Sequence, residues 1–201
     1  MIETWSARPK RPRLSRRDEL LSVAADLFAE RGFAKVTVDD IGNAVGLSGP
    51  ALYHHFDGKE SLLGEMLVRI SESLLEKATT IVDNVPLGDA LDPIIAMHVD
   101  FAVDNRSLIT VHFRDLVHAR KNDQGRVKEL QGAYVDIWVD IVAARHGPEL
   151  DAKDVRAAVH AVLGLINSTP FSGRLRRDAL AALLRTMAAG SITALLAAHS
   201  I

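Results

Sequence analysis

The chain has 201 residues, of which 48 % are hydrophobic and 25 % are charged, and its formal net charge is −2. These are globular proportions, and no apolar run approaches the ~20 residues of a membrane helix, so the composition excludes a membrane protein. The absence of cysteine excludes disulfides, thiolate nucleophiles and thiolate metal sites. The first residues lack the layout of a secretory signal, and we expect a cytoplasmic protein.

The N-terminal segment is basic although the chain as a whole is not. Six basic side chains and no acidic ones lie between Arg8 and Arg17. Such runs are typical of arms that bind nucleic acid. We expect residues 1–14 to form a flexible basic arm.

Two short helices are predicted to follow the arm. The first begins at Ser15, because Ser15 and Asp18 have the spacing of a capping box, and it ends at Gly32. Thr37 is placed to cap the second helix, which Gly46 ends. Helical spacing recurs along nearly the whole chain, which predicts an all-α fold.

The next run, SGPALYHHF at residues 48–56, predicts a third short helix with an unusual N-terminal end. Gly49, Pro50 and Ala51 are all small, and a proline near a helix start interrupts no helical hydrogen bond. Two short helices joined by a tight glycine-containing turn form a helix-turn-helix, whose second helix enters the major groove of DNA. Small residues at its start allow close approach to the bases.

Residues 37–63, TVDDIGNAVGLSGPALYHHFDGKESLL, resemble the signature of the tetracycline-repressor (TetR) family of bacterial transcription regulators. The family pattern is roughly T-x-x-x-I-A-x-x-A-G-V-S-x-G-x-L-Y-x-H-F-x-x-K-E-x-L, and the likeness begins at Ser15. This chain departs from the pattern at Gly42, where alanine is usual, at Pro50, where glycine is usual, and at Ala51, where a hydroxyl residue is common.

The resemblance implies a set of DNA contacts. The small residues that start the third helix offer no side-chain hydrogen bond, so we expect specificity to depend on His54, on thymine methyl groups, on the basic arm and on DNA shape. The implied phosphate contacts are Thr37, Ser48, Tyr53 and Lys59, and the implied base-reading positions are Gly49, Pro50, Ala51 and His54.

The remaining chain is longer and more hydrophobic, and its apolar stripes predict helices at 59–83, 89–104, 106–120, 123–146, 151–168 and 176–199. The resemblance implies that these helices form a ligand-binding and dimerisation domain. The expected organisation is therefore an arm at 1–14, a three-helix helix-turn-helix domain at 15–60 and a larger helical domain at 61–201.

Aromatic and polar side chains on several of these helices suit a mostly apolar cavity with a few hydrogen-bonding groups. Each of them also fits an ordinary core position. The predicted pocket consists of Met97, Phe101, His112, Phe113, Leu116, Tyr134, Trp138, Ile166 and Asn167.

The last two helices are rich in alanine and glycine, which allow helices to approach closely. The resemblance places a homodimer contact on these helices, and we expect it at Ala161, Gly164, Leu184 and Ala188. The histidines at 98, 112, 118 and 160 show no i, i+4 pair, so neither a metal site nor a cofactor is expected.

These observations predict a ligand-responsive transcription regulator, most simply a repressor. It would bind a palindromic double-stranded operator DNA as a homodimer, away from any membrane, and a small hydrophobic effector such as a drug, a lipid or an acyl thioester would release it. A ligand-independent DNA-binding protein is an alternative, but the near balance of basic and acidic residues over 61–201 disfavours it. An enzyme on a helical scaffold is disfavoured because no phosphate-binding glycine loop or catalytic motif is present.

Overall fold

The computed structural model describes residues 15–47, 52–146, 151–172 and 175–199. Over these ranges the chain forms helices and turns, with no strand, which confirms the all-α prediction. None of the helices in the described ranges is long and apolar enough to span a bilayer. The helices are α1 (Arg16–Arg31), α2 (Val38–Ala44), α3 (Lys59–Asn84), α4 (Leu91–Asp104), α5 (Arg106–Asp115), α6 (Lys121–His146), α7 (Ala152–Ile166) and α8 (Arg177–His199).

Capping boxes start the first two helices as predicted. The Ser15 hydroxyl accepts a hydrogen bond from the backbone N–H of Asp18 at 3.1 Å, and the Asp18 carboxylate accepts one from the N–H of Ser15. Thr37 and Asp40 make the same reciprocal bonds at the start of α2. Gly32, at φ +85°, ends α1 in a conformation that side-chain-bearing residues rarely adopt.

Most helix boundaries lie within two residues of the predicted ones, but the helix expected at 106–120 is shorter. It ends at Asp115, and a 3₁₀ turn from Leu116 to His118 follows. The Gln124 side chain donates to the carbonyls of Val117 and Ala119 at 3.0 and 2.7 Å. The turn is therefore stabilised by a side chain from the next helix, a contact that helical periodicity does not reveal.

Two hydrophobic cores organise the described chain. The head core contains α1, α2, Leu52, Phe56 and the first turns of α3 as far as Leu67. The domain core joins α3, α4, α6, α7 and α8 around Trp138, which is completely buried. Three residues from later in the sequence complete the head core: Val111, Ala119 and Val127.

The long helix α3 belongs to both cores. Leu62, Leu63 and Met66 are buried in the head core, while Ala78 is buried in the domain core. A boundary at residue 60 therefore falls at the start of a helix that the two cores share. Any rotation of α3 would therefore move residues in both cores.

Candidate DNA-binding head and ligand cavity

Three of the four predicted DNA contacts that the structure describes lie exposed on the head, and the fourth, Lys59, is half-buried. Thr37 is exposed at the start of α2, and Tyr53 is 58 % exposed beside an exposed His54. Leu52 and Phe56 are buried on the other side of this short segment. The remaining predicted contacts, Ser48, Gly49, Pro50 and Ala51, lie outside the described residues.

Two partly exposed arginines of α1 bind backbone carbonyls of the helix-turn-helix. Arg16 donates from its guanidinium to the carbonyl of Val45, next to the turn that follows α2. Arg17 donates to the carbonyl of His55 at 2.7 Å and stacks over the Phe56 ring at 4.3 Å. These bonds hold the backbone at Val45, after α2, and at His55. Sequence reasoning missed this function, because both arginines appeared to continue the basic run of the arm.

Arg17 is itself oriented by a carboxylate from α3. Its guanidinium donates two hydrogen bonds to Glu65, one of them at 2.6 Å, in the paired geometry typical of arginine and carboxylate. The hydrogen bond from Arg17 lowers the pKa of Glu65 against the raising effect of burial. Arg69, one turn further along α3, also binds Glu65 at 2.8 Å and reaches Asp18 at 2.7 Å. The network joins α1 to α3 and gives the head one fixed geometry.

Lys59 contacts the head itself. Its ammonium donates to the carbonyls of Phe33 and Val36 at 3.0 and 3.2 Å and lies 4.4 Å from the centre of the Phe33 ring. An ammonium has three donors, so one remains for a phosphate oxygen. Lys59 therefore fixes the start of α3 against the segment between α1 and α2, whether or not it also contacts DNA.

A cavity of about 260 Å³ lies between α3, α4, α5, α6 and α7. Five of the nine predicted pocket residues line it: Phe101, His112, Phe113, Tyr134 and Asn167. The other described lining residues are largely apolar, and none is aspartate, glutamate, lysine or arginine. The described wall therefore suits an uncharged, mostly apolar group.

The four other predicted pocket residues lie elsewhere. Trp138 and Ile166 are fully buried in the domain core, and Met97 packs against that core. Leu116 packs against the head core from the 3₁₀ turn. Trp138 was misplaced because it lies one helical turn beyond Tyr134 and packs behind it, with ring centroids 6.3 Å apart. A stripe along a helix cannot distinguish the residue in a wall from the residue behind it.

Two side-chain hydrogen bonds lie in the otherwise apolar wall. The Tyr134 hydroxyl and His98 Nδ1 are 2.9 Å apart, and the Gln131 amide nitrogen lies 3.0 Å from His112 Nε2. Burial lowers the pKa of His98 to about 4 and also lowers the pKa of His112. Burial raises the pKa of Tyr134, partly offset by the neighbouring Trp138. Near neutral pH these groups are uncharged, and they act through hydrogen bonds alone.

A wider open groove of about 780 Å³ adjoins the cavity. Ile70 and Leu108 line both spaces and therefore lie at the boundary between them. The groove carries Arg69 and Arg106 together with several polar and acidic side chains of α1 and α4, including Asp26. A ligand with an apolar part and a polar part could place one part in each space.

Helix α5 links the cavity directly to the head. His112 and Phe113 line the cavity, while the preceding Val111 is buried in the head core. The next residue, Arg114, donates to the carbonyls of Phe28 and Ala29 at the C-terminal end of α1, and Asp115 orients it at 2.9 Å. Sequence reasoning did not anticipate this contact, because the two ends of each bond are about 85 residues apart.

The predicted dimer residues divide into two groups. Ala161 and Gly164 are exposed on α7, and Gly164 also lines the cavity. Leu184 and Ala188 are 3 % and 0 % exposed, because they pack in the domain core of a single chain. In this arrangement they present almost no side-chain area to a partner chain. The outward face of α8 instead carries Leu183 and Met187, which are 45 % and 46 % exposed.

In the described part of the chain, histidine, aspartate and glutamate do not gather in groups of three that could hold a metal ion. Two candidate functional regions remain: the helix-turn-helix head, whose backbone Arg16 and Arg17 support, and the uncharged cavity. Helices α3 and α5 join them.

Comparison with known proteins agrees with both halves of this architecture. Residues 20–66 match the family model described as bacterial regulatory proteins of the tetR family. Residues 85–192 match the model described as the tetracyclin repressor-like C-terminal domain.

The chain is also similar to curated transcriptional repressors. It is 32 % identical over 131 residues to the HTH-type transcriptional repressor KstR2 of Rhodococcus jostii, covering 64 % of each chain and thus less than two thirds of that relative. It is 34 % identical over 153 residues to the repressor of the same name from Mycolicibacterium smegmatis, covering 71 % of this chain and 73 % of the relative.

Solved structures share the fold at lower sequence identity. The TetR family regulator PfmR of Thermus thermophilus superposes with a TM-score of 0.77 at 23 % identity, over 89 % of this chain and 96 % of that one. The regulator FadR of Bacillus subtilis, solved with stearoyl-CoA, gives 0.69 at 16 % identity, over 89 % and 96 %. AibR, solved with isovaleryl coenzyme A and operator DNA, gives 0.69 at 18 % identity, over 86 % and 97 %. The chain belongs to the TetR family of bacterial transcription regulators, and it is a DNA-binding regulator and not an enzyme.

Proposed function

We propose that the protein is a cytoplasmic repressor that binds a palindromic operator as a homodimer and leaves it when an effector with an apolar body enters the cavity. One observation carries this proposal: α3 and α5 each contribute residues both to the head core and to the wall of the cavity. Repression is the activity named for the KstR2 relatives.

The head supports sequence-specific DNA binding. Exposed Tyr53 and His54 follow directly on the segment that the family motif assigns to the major groove, and Arg16 and Arg17 support the backbone on both sides of it. We retain Thr37, Ser48, Tyr53 and Lys59 as proposed phosphate contacts, and Gly49, Pro50, Ala51 and His54 as proposed base contacts. Phosphate contacts position a protein on DNA, and base contacts specify the sequence.

The outward faces of α7 and α8 support a homodimer. Ala161 and Gly164 leave room for close helix approach, while Leu183 and Met187 supply apolar area. A two-fold dimer presents two heads, and half-sites then lie about one helical turn of DNA, ~34–36 Å, or a multiple of it apart.

The two adjoining spaces support an effector with two parts, and an acyl thioester is such a molecule. Its acyl group would occupy the uncharged cavity, and its polar carrier would lie in the groove, whose described lining has Arg69 and Arg106 beside Asp18, Asp26 and Asp104. FadR and AibR, which share the fold, were solved with stearoyl-CoA and isovaleryl coenzyme A. An effector releases the operator only if it binds the DNA-incompetent arrangement more tightly than the competent one.

The direct test is to sequence the genomic DNA that the purified protein retains. We expect a palindrome whose half-sites are separated by about one turn or a multiple of it. Affinity for that operator should fall with salt at a log–log slope near −5 if each of two subunits neutralises about three phosphates. Retained DNA without a common sequence, together with a slope near zero, would contradict the proposal.

A further inference from the structure

Three buried polar atoms near the cavity have no hydrogen-bond partner among the described residues: His98 Nε2, Trp138 Nε1 and Asn167 Oδ1. His98 and Asn167 both line the cavity, and His98 is only 3 % exposed. Buried polar groups in folded proteins are nearly always paired. A pair of unpartnered groups in the wall of a ligand cavity therefore points to a partner on the ligand.

The donor and acceptor roles of these atoms follow from the neighbours of His98. The buried Tyr134 hydroxyl keeps its proton, and it lies 2.9 Å from His98 Nδ1. If Nδ1 carried a proton, the Tyr134 O–H would be left without that acceptor, so Tyr134 donates and Nδ1 accepts. A neutral imidazole then carries its proton on Nε2. The unpartnered nitrogen of His98 is a donor.

Asn167 supplies the complementary group. It is the C-terminal cap of α7, and it lies near enough to His98 to raise the pKa of that imidazole against the larger lowering by burial, although His98 Nε2 and Asn167 Oδ1 each have no hydrogen-bond partner among the described residues. An amide nitrogen facing Nε2–H would place two donors together, so the amide oxygen faces it. We call His98 Nε2–H and Asn167 Oδ1 the polar pair. It offers one donor and one acceptor within an otherwise uncharged wall.

The other two histidines of the cavity, His112 and the exposed His160, do not offer such a buried site. His112 Nε2 is already bound by the Gln131 amide at 3.0 Å. The polar pair is thus a local feature of the wall between α4 and α7.

We propose that the polar pair is a specificity site for a hydroxyl group on the apolar body of the effector, which accepts a hydrogen bond from His98 Nε2 and donates one to Asn167 Oδ1. A ketone oxygen satisfies only the donor, and a hydrocarbon satisfies neither. This inference rests on the proposed function, because it assumes that the cavity receives the effector. It narrows the effector to one that carries a hydroxyl group on its apolar body.

The test uses three uncharged probes of one shape: cyclooctanol, cyclooctanone and cyclooctane. Binding is measured without DNA, by the fluorescence of Trp138 in a Trp5→Phe background. Trp138 is a suitable reporter because its ring lies 6.0 Å from that of His98. We expect cyclooctanol to bind about tenfold or more tightly than cyclooctane, with cyclooctanone between them. In ¹⁵N-histidine-labelled protein, cyclooctanol should shift the Nε2 resonance of His98 and leave that of His112 nearly unchanged.

Asn167→Leu removes the acceptor with little change in side-chain size. It should reduce the affinity for cyclooctanol to the affinity for cyclooctanone. Asn84→Leu is the matched control, since Asn84 binds the carbonyl of Thr80 on the surface of α3 and lies outside both spaces. Thermal melts establish that each variant is folded, and Asn167→Ser is the second variant if the leucine does not fold. Equal binding of the three probes, or an unchanged preference in the folded variant, would overturn the hydroxyl site. If none of the three probes binds, the hydroxyl site is overturned as well. Retention of a specific operator by the same protein would leave the regulator assignment in place.

Discussion

The head and the cavity differ in how completely their polar groups are hydrogen-bonded. In the head, arginine and lysine side chains bind backbone carbonyls directly: Arg16 binds Val45, Arg17 binds His55 and Lys59 binds Phe33. Around the cavity, His98, Trp138 and Asn167 keep buried polar atoms that no described residue satisfies. The head is built to hold one geometry, whereas the cavity wall retains unused hydrogen-bonding capacity.

This difference matches the two tasks that we assign to them. A DNA-reading surface needs a fixed spacing and orientation, and charge-assisted bonds to carbonyls supply it. A sensor needs an energetic reason to bind its ligand, and unpaired buried groups provide one when the ligand pairs with them. Helices α3 and α5 connect the rigid part to the responsive part.

The largest expected effect comes from a pair of neighbouring leucines on α8. Leu184→Glu places a charge in the domain core and should cost roughly 4 kcal/mol or more of folding free energy. Leu183→Glu places the same charge on the outward face, so the chain should fold but lose its dimer. Thermal melts and light scattering separate the two outcomes. A folded Leu183→Glu protein that remains dimeric would place the interface on another surface.

Trp138→Ala tests whether Trp138 belongs to the core. Because its side chain is 0 % exposed and does not line the cavity, we expect a loss of about 3–5 kcal/mol. Phe171→Ala, at a side chain that is 89 % exposed, should change stability by less than about 0.5 kcal/mol. Chemical denaturation measures both, and a stable Trp138→Ala protein that no longer responds to effector would return Trp138 to the pocket.

Lowering the pH should destabilise the folded protein through the buried His98. Its pKa is about 4 in the folded chain and about 6.5 when unfolded, so the unfolded state binds the proton more readily between these values. Stability should fall as the pH decreases from about 6.5 to 4, by roughly 3 kcal/mol from this group alone. His98→Phe should remove that part of the pH dependence, and His54→Phe, at an exposed residue of the head, should not. Identical pH profiles for wild type and His98→Phe would contradict the assigned burial.

The smallest loss of stability is expected at Arg17, which supports the backbone of the head. Arg17→Ala removes bonds to Glu65 and to the carbonyl of His55, but its side chain is 38 % exposed, so the stability loss should be only about 1 kcal/mol. If the same free energy is lost in positioning the DNA-reading segment of each head, operator affinity falls about fivefold per head and roughly 25-fold for the dimer.

Arg17→Lys keeps the charge without the paired donors and should resemble Arg17→Ala. Lys128→Ala on exposed α6 is the control for net charge. If Arg17→Lys retains full affinity in an anisotropy titration, charge and not geometry explains the contribution of Arg17.

Local motifs predicted the head well because its signals lie close together in sequence. Ser15 with Asp18 and Thr37 with Asp40 are three residues apart, and both pairs form the bonds that their spacing predicts. The supporting bond from Arg17 to Glu65 spans 48 residues, and no local pattern reveals it.

The cavity was predicted less completely for a related reason. Helical periodicity places Tyr134 and Trp138 on one stripe, but only the packing of five helices decides that the first lines the cavity and the second packs behind it. The same applies to α8, where adjacent Leu183 and Leu184 face outward and inward. A periodic stripe gives the face of a helix but not its neighbour.

The most direct test of the coupling between cavity and head measures two affinities on the operator found by sequencing. Anisotropy of the labelled operator is titrated with acyl-CoA thioesters from isovaleryl to stearoyl and with their hydroxylated counterparts, and the binding of each thioester is measured with and without operator. We predict that at least one thioester weakens operator binding, and that the operator weakens the binding of that thioester by the same factor. A thioester that binds in the cavity, as reported by Trp138 fluorescence, and leaves operator affinity unchanged would contradict the account.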